Sequence, residues 1–271
     1  MTLLLHPFVQ KTIDRIANDL PQSLLLCGPS GVGLHSIARS IAGRELASEV
    51  LSEETKNAKG GTISVESVRE LYSQTRSKQT KRQIIIIDDA DRMSLGAQNA
   101  FLKLLEEPNS HTYFILTSHY PETLLPTIRS RVQAIEIKHL LPKQTDAFFE
   151  ILGVNDQGKR TQLRYLAEGL PAEIMRLIQD NDYFAQRAVV IGDARTFLQA
   201  TPYEKLLLIQ KYRSNRDAAI SLLESALQML RRSATTSPEL APIAQLDRLL
   251  SAKEQLLANG NVQLQLARAV L

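Results

Sequence analysis

Three short apolar blocks recur in the first half of the chain, each with the length of a buried β-strand. The three blocks are Ser23 to Cys27, Ile84 to Ile87 and Tyr113 to Thr117, and they are apolar almost throughout. Such a pattern is typical of parallel strands covered on both faces. Between these blocks, apolar residues recur every three or four positions, as they do in amphipathic helices. The alternation predicts an α/β domain whose parallel sheet is flanked by helices.

The helices between these strands have recognisable ends. Residues 7 to 19 form the first predicted helix, which Pro21 closes. Ser64 is suited to cap a helix that runs through about Ser77, and Ser94 is suited to cap the next one. The predicted buried helix faces consist of Ile13 and Ile16, then Ile37, Ala38, Ile41 and Ala42, then Ala97, Phe101, Leu104 and Leu105.

Strand patterns end at about residue 138, and the remainder of the chain is helical in pattern. Short amphipathic helices, separated by Pro and Gly, predict a small helical lid. Further on, Ala218 to Leu230 and Leu246 to Leu257 are rich in Leu and Ala, with a polar break at Ser233 to Pro238. This all-α segment either completes the fold or forms a helical oligomerisation collar. We therefore expect three domains, at residues 1–138, 139–181 and 182–271.

Composition narrows the class of protein without deciding its function. The chain has 271 residues, 44% of them apolar, and neither a long apolar run nor a signal-peptide pattern, so we expect a cytoplasmic protein without membrane contact. Cys27 is the single cysteine, which leaves no internal disulfide and no cysteine cluster for zinc. A net charge of +3 permits contact with nucleic acid but does not indicate it.

The first candidate site is the glycine loop, residues 28–33, between the first strand and the next helix. A phosphate-binding loop needs glycines, a Lys for the phosphates and a Ser or Thr for Mg²⁺. Gly28, Gly31 and Gly33 fit that spacing, but Leu34 stands in the Lys position and His35 in the hydroxyl position. Losing a hydrogen bond to a charged group costs about 1.5–3 kcal/mol, so we expect weak nucleotide binding at most. A purely structural strand-to-helix turn is the alternative reading.

The second candidate site is an acidic pair at the end of the second predicted strand. Asp88 and Asp89 follow the apolar block directly, at the carboxyl edge of the sheet, where ligands of open α/β sheets bind. Asp88 would face Mg²⁺ there. Asp89 is one methylene shorter than the Glu that would polarise an attacking water, so hydrolysis is not expected. A simple acidic turn is the alternative reading.

Several longer stretches resemble the AAA+ clamp-loader family. The resemblance is carried by Asp88 to Met93 continuing to Ala97 to Pro108, and by Leu124 to Arg131. His6-Pro7 and Leu20 to Leu26 resemble the opening of the family, and Asn259 to Ala267 resembles the end of its collar. The family fold is a P-loop-like AAA+ domain with a helical lid and an all-α collar. The resemblance therefore spans the whole chain and implies that fold for it.

The resemblance also implies a role for one arginine. Ser130-Arg131 resembles the family's Ser-Arg-Cys motif, with Val132 in the Cys position, which implies that Arg131 is an arginine finger reaching a neighbouring subunit's ATP. Arg129 is the weaker candidate. A retained finger beside an altered glycine loop resembles the delta-prime branch of the family, which belongs to the DNA polymerase III holoenzyme.

Two features depart from the pattern of bacterial relatives. Residues 45 to 62 contain no cysteine, so the usual four-cysteine zinc module is not expected. Arg176 does not clearly occupy the place of a second arginine sensor in the lid. A basic run, which consists of Arg76, Lys78, Lys81 and Arg82, lacks interleaved aromatic residues and is interpreted as a solvated loop and not a DNA site.

These features together predict a stationary, non-hydrolysing subunit in a hetero-oligomeric clamp loader. The implied partners are the loader's tau or gamma ATPase subunits, its delta subunit, the sliding clamp and primed DNA. No cofactor is expected, and ATP binding is doubtful. Two alternatives stay open: an ATP-hydrolysing clamp-loader motor that tolerates Leu34 and His35, and an AAA+-like adaptor that works outside replication.

Overall fold

The computed structural model contains two compact units, one ending at Met175 and the other beginning at Arg176. The three domain boundaries expected from the sequence remain a prediction. The structure describes residues 7–43, 46–50, 53–55, 58–76, 82–108, 111–236 and 241–270.

The first unit alternates strands and helices before ending in helices alone. Its strands are β1 (Ser23–Cys27), β2 (Leu46–Val50), β3 (Glu53–Thr55), β4 (Ala58–Thr62), β5 (Gln83–Ile87), β6 (Thr112–Ser118) and β7 (Gln133–Glu136). Its helices are α1 (Pro7–Asn18), α2 (Leu34–Ala42), α3 (Val65–Arg76), α4 (Leu95–Glu106), α5 (Pro126–Arg129), α6 (Pro142–Ile151), α7 (Gln157–Ala167) and α8 (Pro171–Gln179), the last of which crosses the division between the units.

The main sheet has the order β2-β5-β6-β1-β7, and every neighbouring pair in it is parallel. The three predicted strands therefore form its centre. Leu25 pairs with Leu116, and Ile85 pairs with Phe114. Because all strands run in one direction, the segments that follow β1, β5 and β6 meet at the same edge of the sheet. The predicted parallel α/β sheet is confirmed.

Alternate side chains of the central strands enter two different cores. Leu24, Leu26 and Ile86 pack with α1 and α2 on one face of the sheet. Leu25 and Ile85 pack with α3 and α4 on the other face. Strand side chains alternate between faces, so a strand covered on both sides must be apolar at every position, which explains the continuous apolar blocks.

Helix ends follow the capping residues that the sequence predicts. Ser64 accepts a hydrogen bond from the Ser67 N–H at 3.1 Å, and Ser94 accepts one from the Ala97 N–H at 3.1 Å. Both predicted caps are confirmed. The helix capped by Ser64 runs to Arg76, and its predicted end at Ser77 lies outside the described residues.

The second unit consists of helices in its described part. They are α9 (Asn181–Gln199), α10 (Pro202–Ile209), α11 (Arg216–Thr236), α12 (Ala241–Leu257) and α13 (Val262–Val270). The core of the unit contains Phe197, Leu222, Leu223, Leu249 and Leu256, which are buried. These helices match the all-α segment predicted from the Leu and Ala pattern. They give that segment a core of its own.

One predicted break in the second unit is wrong. The sequence places a polar break at Ser233 to Pro238, but α11 continues to Thr236. The Ser233 hydroxyl donates to the Leu230 carbonyl at 2.8 Å, so its polar group is satisfied inside the helix. Pro238 lies outside the described residues.

Candidate functional site

The glycine loop joins β1 to α2, and each of its three glycines has a steric reason to be there. A Cβ on Gly28 would lie 2.6 Å from the Ile137 carbonyl oxygen. Gly31 and Gly33 have φ angles of +86° and +91°, in the left-handed region that favours glycine. The loop therefore has tight backbone geometry whether or not it binds a phosphate.

Leu34 and His35, the two residues that replace the usual Lys and hydroxyl, point to different surroundings. Leu34 is buried, with 2% of its surface exposed, and belongs to the apolar core beneath the loop. His35 instead lies at the sheet edge, where its Nδ1 is 3.2 Å from Asp88 Oδ2 and its Nε2 is 3.8 Å from Glu49 Oε2. Arg39 Nε lies 3.1 Å from Glu49 Oε1. The usual Lys position is therefore occupied by a core residue. The usual hydroxyl position is occupied by an imidazole beside two carboxylates.

The acidic pair is fixed by a hydroxyl at the end of the neighbouring strand. Thr117 donates its hydroxyl to Asp88 Oδ1 at 2.6 Å and accepts the Asp89 N–H at 2.9 Å. Asp89 has a φ of +49°, a conformation that Asp and Asn adopt more readily than most residues. Burial, and then the nearby Asp88 carboxylate, raise the pKa of Asp89, while His119 and Arg92 act in the opposite direction.

His119 ties the acidic turn to the glycine loop. Its Nδ1 donates to the Gly28 carbonyl at 2.8 Å, because a carbonyl oxygen can only accept. Its backbone N–H donates to Asp91 Oδ1 at 3.0 Å, and its Nε2 lies 3.7 Å from Asp89 Oδ1. The carboxyl ends of β1, β5 and β6 are therefore linked through side chains.

Sequence reasoning missed Thr117 and His119 as members of this site. The available signal was the position of polar residues at the carboxyl end of a buried parallel strand, the same signal that singled out Asp88. In contrast, Gly28, Gly31, Gly33, His35, Asp88 and Asp89 were predicted, and the structure brings them to one edge of the sheet. Leu34 was predicted as well, but its side chain lies in the core.

Cys27 precedes the glycine loop and is half-buried. Its thiol lies 3.5 Å from the Ile135 carbonyl oxygen. Burial, followed by the Glu136 carboxylate, raises the pKa of the Cys27 thiol above its usual value. The thiol is therefore protonated and weakly nucleophilic at neutral pH.

The beginning of α8 rests directly on the glycine loop. The backbone N–H groups of Ala172 and Glu173 both donate to the Gly31 carbonyl, at 2.9 and 3.1 Å. A Cβ on Gly31 would lie only 2.9 Å from Glu173 Cβ. The first N–H groups of a helix are the donors that bind anions at phosphate sites. Two of them are here used for a contact within the chain.

Arg131 lies just after the end of α5, and its side chain is exposed. Its Nη2 lies 3.0 Å from Glu106 Oε1, and its Nη1 donates to the Thr127 carbonyl at 3.1 Å. Val132, in the Cys position of the resembled motif, is half-buried against the core that contains α4. Arg129 is also exposed, and among the described residues it has no ion pair.

Two of the other basic residues considered from the sequence, Arg176 and Arg82, have aromatic neighbours. The Arg176 guanidinium lies 3.7 Å from the centre of the Tyr183 ring, and the Arg82 guanidinium lies 4.5 Å from that of Tyr113. Lys78 and Lys81 lie outside the described residues, so the predicted solvated loop stays a prediction.

In the part of the chain that the structure describes, no group of three or more His, Cys, Asp or Glu side chains could hold a metal ion. None of the described helices is both long and apolar enough to cross a membrane.

Comparison with known proteins identifies the family. Residues 8–141 match the family model described as "DNA polymerase III, delta subunit". The chain is 29% identical over 229 residues to the DNA polymerase III subunit delta' of Bacillus subtilis, in an alignment covering 73% of this chain and 68% of that protein. Both matches are to subunits of DNA polymerase III, and they support the clamp-loader resemblance. The family resemblance read from the sequence is thereby confirmed.

Other relatives match over shorter stretches. A Replication factor C small subunit from Aeropyrum pernix is 29% identical over 149 residues, which are 54% of this chain and 42% of the relative. The DNA polymerase III subunit delta' of Pseudomonas aeruginosa is 41% identical over 71 residues, 26% of this chain and 22% of the relative. The chain therefore spans less than half the length of these two clamp-loader relatives.

Solved structures support the fold alone. A DNA polymerase III gamma subunit-related protein from Thermotoga maritima superimposes with a TM-score of 0.51 at 18% identity and covers 96% of each chain. The RuvB Holliday junction branch migration motor of Thermotoga maritima gives a TM-score of 0.51 at 13% identity, covering 72% of this chain and 76% of that chain. These likenesses confirm the predicted fold class, an AAA+ sheet with further helices.

Proposed function

We propose that this chain is a non-hydrolysing, stationary subunit of a bacterial clamp loader, and that it supplies Arg131 to the ATP site of a neighbouring subunit. Its partners would be the loader's tau or gamma ATPase, the delta subunit, the sliding clamp and primed DNA. The observation that carries the proposal is the pair of residues after the glycine loop, Leu34 in the core and His35 beside Asp88.

The environment of these two residues does not suit a Mg²⁺-nucleotide. Leu34 offers no charge to a phosphate, and its burial leaves no room for a solvated cation at that position. Mg²⁺ requires octahedral oxygen ligands, whereas an imidazole lies 3.2 Å from the Asp88 carboxylate. We therefore expect neither hydrolysis nor a resident cofactor.

Arg131 can act without a nucleotide in its own subunit. A guanidinium presented across an interface stabilises the charge that develops on a phosphate bound by another chain. Arg131 is exposed and is oriented by two contacts within its own chain, to Glu106 and to Thr127. Those contacts engage two of the five N–H donors of the guanidinium, so three remain for a ligand.

The proposal is tested by comparing the isolated chain with the assembled ring. Purified chain, with the loader's ATPase subunit as a positive control, is expected to show no ATP hydrolysis. Mixed with that ATPase and the delta subunit of the same organism, it is expected to enter one complex on gel filtration and to be required for DNA-stimulated ATP turnover. Hydrolysis by the isolated chain would favour the motor alternative, and failure to enter the complex would favour the adaptor alternative.

A further inference from the structure

Glu106 is the last residue of α4 and forms an ion pair with Arg131. The two side chains approach to 3.0 Å, although the residues are 25 positions apart in the sequence. Glu106 is half-exposed, and so is Arg131, at 39% of its side chain. An exposed ion pair of this kind contributes little to stability, roughly 0–1 kcal/mol. Stabilisation of the fold therefore does not explain why Glu106 and Arg131 are paired.

The position of Glu106 on its helix is electrostatically unfavourable without a cation. The C-terminus of a helix carries a partial negative charge, which disfavours a carboxylate there and favours a cation. Glu106 is followed immediately by Glu107, so two carboxylates stand at the same helix end. The guanidinium of Arg131 is attracted to this end of α4 both by the helix and by the Glu106 carboxylate.

The pair fixes the plane of the guanidinium at two points. Glu106 engages Nη2, while the Thr127 carbonyl engages Nη1 at 3.1 Å. Contacts on both terminal nitrogens prevent the planar group from rotating freely. These two contacts leave the Nε–H group and one N–H on each terminal nitrogen unused. The group is held with three donors still available.

The backbones that carry Glu106 and Arg131 are also tied together. Gln98 of α4 is buried; its Oε1 accepts the Leu125 N–H at 2.8 Å, and its Nε2 donates to the Thr123 carbonyl at 3.4 Å. Leu125 directly precedes α5, which leads to Arg131. Glu106 therefore reaches Arg131 from α4, a helix whose position relative to α5 is fixed by Gln98.

From this geometry we infer that Glu106 is a positioning residue that preorganises Arg131 for the ATP of the neighbouring subunit, an inference that rests on the proposed function. Holding a guanidinium in one orientation removes part of the rotamer entropy that it would otherwise lose on meeting the phosphate. In this proposal Glu106 acts on the guanidinium of Arg131 and not on the nucleotide. Its effect therefore reaches the reaction only through Arg131 and only where Arg131 acts, in the transition state.

The test compares ring variants in DNA-stimulated ATP turnover. Glu106→Gln keeps the shape of the side chain and removes its charge, whereas Glu107→Gln removes a charge from the same helix end without touching Arg131. We expect Glu106→Gln to lower kcat by about 2-fold, which is less than Arg131→Ala, while KM for ATP is unchanged, because only orientation for the transition state is lost. Glu107→Gln should match wild type. Gel filtration confirms that each ring assembles.

A double variant separates this inference from the function on which it rests. If Glu106 acts through Arg131, Glu106→Gln combined with Arg131→Ala should be no slower than Arg131→Ala alone. Unchanged or faster turnover with Glu106→Gln, while Arg131→Ala is slow, would overturn the positioning role and leave the finger intact. Equal losses with Glu106→Gln and Glu107→Gln would also overturn it. Unchanged turnover with Arg131→Ala would overturn the proposed function itself.

Discussion

The Nδ1 atom of His35 lies 3.2 Å from the Oδ2 atom of Asp88, across the edge of the sheet between the glycine loop and the acidic turn. In a nucleotide-binding loop a hydroxyl at the position of His35 and a carboxylate at the position of Asp88 would both face Mg²⁺. Here the side chains face each other. The altered loop therefore places an imidazole, and not a hydroxyl, beside the acidic turn.

Restoring the hydroxyl alone should not restore nucleotide binding. In His35→Thr, Leu34 still stands in the Lys position and offers no charge to a phosphate. We expect the anisotropy of a fluorescent ATP analogue with Mg²⁺ to stay at its protein-free value when the variant is added, as it should with wild type. Saturable binding at micromolar concentrations by the variant alone would contradict the importance of Leu34.

Position 34 should tolerate an uncharged residue of different shape better than a charged residue. Leu34→Lys would place an ammonium group in the core or force its stem outward, and we expect a loss on the order of 2–5 kcal/mol in unfolding free energy. The matched variant Leu34→Met conserves volume and should lose less than about 1.5 kcal/mol. Urea unfolding followed by circular dichroism measures both. Equal losses for the two variants would show that charge is not the deciding property.

Gly31 should be more sensitive to substitution by Ala than Gly33. Gly31→Ala combines a positive φ with a Cβ only 2.9 Å from Glu173 Cβ. Gly33→Ala has a similar φ, but the nearest atom to its Cβ lies 3.6 Å away, in ordinary contact. We expect about 1–2 kcal/mol of backbone strain for Gly33→Ala and a further 1–3 kcal/mol, roughly, for Gly31→Ala.

The comparison of these two alanine variants in urea isolates the contact between the loop and α8. A smaller loss for Gly31→Ala than for Gly33→Ala would indicate that α8 moves away from the loop at little cost. The backbone hydrogen bonds from Ala172 and Glu173 to Gly31 would then contribute little.

Asp89→Asn should stabilise the protein near neutral pH. Because burial and Asp88 raise the pKa of Asp89, its stabilising contribution is full below the ordinary carboxyl pKa and is lost as the pH rises through the folded-state pKa. Asn carries no charge and accepts the positive φ of this position. The variant should therefore melt at a higher temperature than wild type at pH 7.

The same comparison in acid provides the control. The difference in melting temperature should shrink as the pH falls towards about 4, the ordinary range of a carboxyl group, where wild-type Asp89 also becomes neutral. A lower melting temperature for Asp89→Asn at pH 7 would mean that its contacts with Arg92 and His119 outweigh burial and the Asp88 charge.

Much of the sheet could be predicted because its central strands are covered on both faces. β1, β5 and β6 are apolar at nearly every position, and that pattern leaves few alternatives. β2, Leu46–Val50, and β7, Gln133–Glu136, were not predicted because they are edge strands of mixed polarity. The antiparallel pair β3–β4 was missed for a similar reason, since its sequence is polar and rich in Gly and Lys.

The candidate site was predictable in its residues but not in its contacts. Motif spacing located the glycine loop, Asp88 and Arg131. It could not show that Leu34 enters the core, that His35 turns towards Asp88, or that Glu106 meets Arg131 from 25 positions away. Those relationships depend on how strands and helices pack, which spacing along one chain does not encode.

The central claim is that Arg131 acts on ATP bound by another subunit. Its most direct measurement is DNA-stimulated ATP turnover in the reconstituted ring with Arg131→Ala, beside Arg129→Ala as a neighbouring control of the same chemistry. Arginine fingers contribute roughly 10³- to 10⁵-fold in rate at a single site, and a ring has other sites that continue to turn over, so we expect a loss of about 3-fold or more for Arg131→Ala. Arg129→Ala should match wild type. Equal turnover by both variants in fully assembled rings would contradict the account.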